Sequence, residues 1–200
     1  MIKIDKTPPQ LIINTPTDGG EYLFNQNILA DWSADDYISG LASATGTVTN
    51  GQAVDTSTVG IKTFNVVAAD NAGNQITKTV TYYVIYKYSG ILPPVKTDGS
   101  SVFRLGSTVP VKFQLQDASG IFVNNAVAKL YVAKIDNGIV GEEKEAISTS
   151  AAATGNLFRY DNTENQYIFN LATKGLSAGT WQLRISLDDG TSKYVNISLK

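Results

Sequence analysis

The 200-residue chain contains no cysteine and no histidine. Without cysteine there is no disulfide framework, no thiolate-bound zinc, no iron–sulfur cluster and no thiol nucleophile. Without histidine the commonest general base and the commonest transition-metal ligand are missing, and a Ser-His-Asp triad cannot be assembled. Charge is also scarce. Only 17% of residues are charged and the net charge is −2, so there is no basic stripe of the kind that holds nucleic acid. No apolar run is long enough to span a bilayer, which argues against membrane insertion. Met1–Lys6 lacks the apolar stretch of a signal peptide, so if the protein is exported its signal is expected upstream in a longer parent chain, with Met1 then an added initiator. Disorder is excluded from the other side, because 42% of the residues are hydrophobic.

What the chain does have is alternation. Phe64, Val66 and Ala68 alternate with small or polar residues, and Ile76, Val80, Tyr82 and Val84 alternate mostly with threonine. That period-2 pattern describes half-buried strands. Asp70-Asn71-Ala72-Gly73-Asn74 between the two runs is turn chemistry, since Asn and Asp tolerate left-handed backbone and Gly73 has no Cβ to clash. Further strands are expected over Gln10–Asn14, Asn27–Ser33 and Ala44–Thr49. In the second half Val109, Val111, Phe113 and Leu115 share one face, as do Ala128, Leu130 and Val132, then Tyr167, Phe169 and Leu171. Trp181, Leu183, Ile185 and Leu187 do the same, and Val195, Ile197 and Leu199 close the chain. Pro110 cannot donate to a ladder, so its strand is expected at an edge there or paired on one side only. Asp189-Gly190 reads as a two-residue type I′ hairpin turn.

Turn residues recur every ~8–12 positions and no window holds a helical period, which is the spacing of an all-β fold. Residues 136–158 form one long irregular segment, with mild helical propensity at Glu142–Glu145 and Ala151–Thr154. A boundary is expected near Tyr86–Gly90, where Ser89-Gly90 breaks the alternation and Pro93-Pro94 stiffens the next stretch of chain. The expected organisation is two tandem Ig-like β-sandwich domains, 1–87 and 88–200. Trp32 and Trp181 fall on apolar faces and are expected in the two cores.

Two family resemblances cover nearly the whole chain. Asp5-Lys6-Thr7-Pro8-Pro9, Ser39-Gly40-Leu41, Asp55-Thr56, Gly60 before a Thr-Phe strand, and Ala69–Asn74 followed by a Tyr-Val ending resemble bacterial extracellular Ig-like repeats. Pro110-Val111-Lys112-Phe113 resembles the PxKF domain, as do Ser89–Val95, Phe158–Asp161, Tyr167–Asn170, Thr173–Leu176 and Gly179–Trp181. Neither resemblance carries a chemistry. Together they imply a secreted or cell-surface bacterial parent with several domains, in which this pair is a non-catalytic spacer or attachment module. The expected partners are neighbouring domains of that parent, and the pair is expected to be a monomer.

Three chemistries remain to be weighed. Asp35-Asp36 and Asp188-Asp189 are adjacent acids in loops, not carboxylates facing across a cleft some 5–10 Å wide, so glycosidase chemistry is not supported. Calcium is the one candidate cofactor. Asp5, Asp35, Asp36, Asp70, Asn71 and Asn74 are loop oxygen donors, yet no contiguous calcium loop exists and Asp70 is equally suited to hold its own turn. A polysaccharide or cell-wall ligand is the alternative function, that of an accessory module of a secreted enzyme. Its stacking platform would draw on Tyr22, Tyr37, Tyr160 and Tyr194, expected to be the exposed tyrosines.

Overall fold

The computed structural model describes residues 4–152 and 154–200; Met1–Lys3, and Ala153 of the stretch given helical propensity, lie outside it. Among the described residues every regular element is a strand, and the chain divides into two compact units, one ending at Ile85 and the other Tyr86–Lys200. Each is an Ig-like β-sandwich.

In the first unit β1 (Gln10–Thr15) pairs antiparallel with β3 (Asp31–Asp35). Opposite them lies a four-stranded sheet, in the order β2 (Gly20–Leu23), β6 (Gln75–Ile85), β5 (Gly60–Asp70) and β4 (Leu41–Gly46). Leu11 and Trp32 from the small sheet meet Phe64, Val66, Val80, Tyr82 and Val84 from the large one in a single core. The expected strand Asn27–Ser33 begins later, at Asp31. Residues 28–30 instead bond across to 51–54, through Ala30 N to Gln52 O and Val54 N to Ile28 O (2.8 and 3.0 Å). The strand expected at Ala44–Thr49 lies three residues earlier. Trp32 sets its end: a Cβ on Gly46 would sit 2.8 Å from the indole nitrogen, which itself donates to Val48 O.

The second unit stacks a four-stranded sheet on a five-stranded one. The first runs β12 (Arg159–Asp161), β13 (Gln166–Ala172), β9 (Thr108–Gln116), β7 (Lys87–Leu92). The second runs β11 (Ile139–Glu145), β10 (Ala128–Asp136), β14 (Gly179–Leu187), β15 (Ser192–Leu199), β8 (Ser101–Phe103). The alternation read from the sequence is the burial pattern: Val109, Val111, Phe113 and Leu115 are sealed, as are Leu183, Ile185 and Ile197. Phe113 anchors an aromatic cluster, stacked on Tyr167 at 5.1 Å and edge-on to Phe158 at 4.9 Å. Pro110 pairs with Asn170 of β13, while β7 stops opposite Lys112, so the strand is paired on one side only at the proline.

Two local expectations are overturned. Residues 139–145 are neither helix nor loop but edge strand β11, paired to β10 from Tyr131↔Glu145 to Asp136↔Ile139. Every residue in it is exposed, so no alternation marks it, and its Glu-Glu-Lys-Glu run blunts the edge against further pairing. The turn after β14 is not type I′, which needs positive φ at both central residues. Of its residues only Gly190 has positive φ (+86°), and Gly190 N reaches Leu187 O at 3.1 Å, giving a three-residue loop closed by a left-handed glycine.

Candidate functional site

The β5–β6 turn gathers the acids that the sequence scatters. Asp70 is 3% exposed, and its Oδ1 accepts from the amides of Ala72 (2.9 Å) and Asn74 (2.8 Å). Its Oδ2 accepts from the Asn74 side-chain amide at 2.7 Å. Burial alone would raise the Asp70 pKa, but the donors of Asn74, Ala72 and Gly73 outweigh it and the carboxyl is held below its ordinary value. Gly73, at φ +90°, closes the turn.

A second loop is built the same way. Asp36 Oδ1 accepts from the amides of Ile38, Ser39 and Gly40 at 2.8–3.2 Å and from the Ser39 hydroxyl at 3.2 Å. Asn71 ties the loops together, its side-chain amide donating to Ser39 O (3.0 Å) and Gly40 O (3.1 Å). The chain's N-terminal approach completes the group. Asp5 Oδ1 accepts from Thr7 N at 2.9 Å, whereas Asp5 Oδ2 is enclosed and meets no donor.

One carboxylate oxygen from each of Asp5, Asp36 and Asp70 lies within 4.8 Å of the others. Among the described residues, none of the three enters an ion pair. Three like charges this close, one of them with an undonated oxygen, form an environment complementary to a cation. Calcium suits it chemically, because it accepts all-oxygen shells in loop geometry; about six to eight ligands are needed, so water would supply the balance. Asp35 does not join the group, since it sits exposed on β3 opposite Gln10. Asn74 presents its NH₂ to Asp70 Oδ2 and to the carbonyls of Asp5 and Thr7, and so acts as a donor rather than a ligand.

The tyrosine platform does not form as expected. Tyr22 is half-buried, edge-on to Tyr82 at 5.9 Å, and its hydroxyl accepts from Thr17 N. Tyr160 is half-buried against Tyr167 at 5.1 Å. Both rings bury apolar area against a second aromatic, which a polar-neighbour reading of the sequence does not register. Tyr37 and Tyr194 are exposed, at 84% and 60%, but they belong to different units. Trp32 and Trp181 lie in the cores, with indole nitrogens on Val48 O and Ser177 O.

The sandwich reading of the sequence expects each unit to present its two chain ends near opposite ends; the residues that mark those ends come from the structure. In the first unit Asp5 and Thr7 meet Asn74 at the β5–β6 turn. The unit ends at Ile85, at the far end of β6. Eleven residues of strand separate these places, about 33 Å at ~3.3 Å per residue. In the second unit Tyr86 N donates to Asp189 Oδ2 (2.9 Å) in the β14–β15 turn, and the chain ends at Lys200, beyond the far end of β15. That strand spans about 24 Å. Asp189 is 2% exposed and its other oxygen accepts from Thr191 N, so Tyr86 is pinned by a buried carboxylate with both oxygens engaged.

No family model matches the chain. It is 28% identical over 187 residues to the serine-rich adhesin for platelets of Staphylococcus aureus strains MRSA252 and USA300. The match covers 87% of this chain but only 13% and 8% of those proteins, so the chain spans about a tenth of the curated relatives' length. Among solved structures it is similar to the fibronectin(III)-like modules of Clostridium thermocellum CbhA (14% identity, TM-score 0.32, covering 96% of this chain and 94% of that one). It is also similar to the Yersinia pseudotuberculosis adhesin InvE (12% identity, TM-score 0.39, covering 96% and 58%).

Proposed function

We propose that the chain is a non-catalytic spacer module of a larger bacterial surface protein, holding the domains beyond it at a distance from those before it. One observation carries this reading: in each sandwich the chain enters at one end and leaves at the other. A module with adjacent termini adds no length to a parent chain, whereas each of these adds the length of its longest strands. The 28% identity to a platelet adhesin supports a cell-surface, attachment-related setting. Absence of histidine and cysteine removes the commonest general base and the thiol nucleophile. The carbohydrate alternative loses its motive, because Tyr22 and Tyr160 are turned into aromatic pairs. The test is the entrance-to-exit distance within each unit, read by pulsed electron–electron resonance between paired spin labels. Separations near the strand lengths are expected, and adjacent termini would refute the reading.

A second reading concerns the first unit alone: its N-terminal end takes up calcium at Asp5, Asp36 and Asp70. The observation that favours it is Asp5 Oδ2, enclosed, without a donor, and on a carboxyl that joins the other two. Calcium there would tie the N-terminal approach to both turn loops. The check is calcium titration of thermal stability in the intact chain and in Asp5→Asn.

A further inference from the structure

We propose that the second sandwich carries a small-molecule site, an apolar cavity between β10, β11 and the β13–β14 loop that takes an amphipathic anion, an aliphatic chain with one negatively charged head. The site is independent of the spacer reading.

The cavity measures about 470 Å³, inside the range of about 300–1,000 Å³ usual for small-molecule sites. Val132 of β10 and Leu171 of β13, both sealed in the core, are its deepest lining, with Leu176 half-buried and Ile147 exposed nearer the mouth. Chain bonds fix its walls. β12 covers β13 only as far as Ile168, and residues 147–149 take over that edge, through Ala172 N to Ile147 O (2.7 Å) and Thr149 N to Asn170 O (2.9 Å). Ala146 N donates to Leu130 O at 3.1 Å, so the same segment crosses from one sheet to the other beside the cavity. The β13–β14 loop is tied at both ends. Thr173 is sealed, with its hydroxyl and its amide on Ser107 O (2.6 and 3.2 Å), and the Trp181 indole holds Ser177 O at 2.9 Å. Leu176 N closes the turn between them on Thr173 O at 3.1 Å. The cavity is therefore preformed, as small-molecule sites usually are.

Charge selects the head. In register, Lys144 of β11 stands opposite Val132, and Glu145 opposite Tyr131. Paired residues share a face of the sheet. Val132 points into the core, so Lys144 lies on the cavity side, whereas Glu145 falls on the outer face with Tyr131, beneath the Arg184 guanidinium. Lys174, exposed on the loop, is the second cation at the mouth. Among the described residues neither lysine enters an ion pair, so the mouth is net positive. The interior offers water no side-chain partner, and displacing poorly held water by an apolar group gains affinity. Ile147, 69% exposed, is apolar surface that an aliphatic chain would cover. A neighbouring cavity of about 500 Å³ shares Lys144, but Lys134, Asp136 and Glu142 line it too; its two acids balance its two lysines, so it favours neither sign of charge.

Decanoate is the probe, with decanol as its uncharged counterpart. Isothermal titration calorimetry on the full chain should show saturable binding of decanoate, tighter than that of decanol. In scanning calorimetry decanoate should raise the second unit's melting temperature and leave the first unit's unchanged, because a ligand stabilises only the unit whose native state binds it. Lys144→Gln combined with Lys174→Gln keeps part of each aliphatic stem and removes both charges. That pair should weaken decanoate about tenfold, the scale of two exposed ion pairs, and leave decanol unchanged. Leu176→Trp should fill the cavity and abolish binding of both compounds, with thermal denaturation to check that the variant folds; if it does not, the lysine pair, exposed and outside the core, still decides. Absence of saturable decanoate binding, equal affinity for decanoate and decanol, binding that survives Leu176→Trp in a folded variant, or stabilisation of the first unit instead of the second overturns the proposal.

Discussion

Replacing Trp181 by alanine should unfold the second sandwich well before the first. Trp181 lies on β14 between Lys134 of β10 and Ile197 of β15, is 8% exposed, and donates from its indole nitrogen to Ser177 O at 2.9 Å. Its neighbours on the same face, Leu183 and Ile185, are sealed, so the strand cannot shift inward to fill the space without displacing them. Truncation of a buried Trp costs about 3–5 kcal/mol, made up of lost transfer energy and the cavity left behind. Tyr86–Lys200 comprises roughly 115 residues, and at ~2.1 cal/mol/K per residue its unfolding entropy is about 240 cal/mol/K. The midpoint of that unit should therefore fall by about 12–20 °C. Scanning calorimetry of the full chain reads this directly, with the first unit's transition as an internal reference. A shift under ~4 °C, or an equal shift of both transitions, would refute the reasoning, because it would mean that the ring is not part of the second core or that the units do not melt separately.

Three further outcomes rest on the same geometry. Millimolar calcium should raise the first unit's melting temperature in the parent and not in Asp5→Asn, and a chelator should reverse the rise; a flat response in the parent removes the calcium reading. Asp189→Ala should destabilise the second unit by about 1–3 kcal/mol, the cost of leaving buried amides unpaired, and should speed hydrogen exchange at Tyr86; unchanged exchange there means the carboxylate does not hold the amide. Asp55 accepts from the Ser57 hydroxyl, the Lys62 ammonium and the Ser57 amide, and its pKa is lowered from 3.8 to about 2. A depressed carboxyl stabilises the fold above its unfolded value and ceases to do so as pH falls through the folded one, so the first unit should weaken between pH 3.8 and about 2, and Asp55→Asn should flatten that slope in acid titration.

Strands with one sealed face were legible because burial imposes period 2 on the sequence. β5, β6, β9, β14 and β15 alternate, and each shows it in its burial. β11 was not legible for the converse reason: with every residue exposed, nothing forces alternation, and charged residues chosen to protect an edge mimic a helical surface. The turn at Asp188–Gly190 was placed correctly and typed wrongly, since a dipeptide does not reveal whether one or two residues take positive φ. The acids of the candidate site were all named from the sequence. Their selection was beyond it, because Asp5, Asp36 and Asp70 meet only through the pairing of distant loops by Asn71 and Asn74. A local signal did exist in Asp36-x-x-x-Gly40 and Asp70-x-x-Gly73, acids that saturate one oxygen with loop amides. Asp117 follows the same pattern before Gly120, taking the amides of Ser119 and Ile121, without any carboxylate cluster around it among the described residues.

The spacer account stands on where the termini lie within each sandwich, and pulsed electron–electron resonance measures that. The chain has no native cysteine, so paired labels go only where they are placed. In the first unit Lys6→Cys with Thr58→Cys should report a separation of about 30 Å or more, the length of the β5–β6 hairpin, while Lys6→Cys with Ala72→Cys should be short. In the second unit Lys87→Cys with Lys200→Cys should lie beyond about 20 Å, near the span of β15. A short Lys6–Thr58 distance together with a long Lys6–Ala72 distance would place entrance and exit at the same end, and would contradict the account.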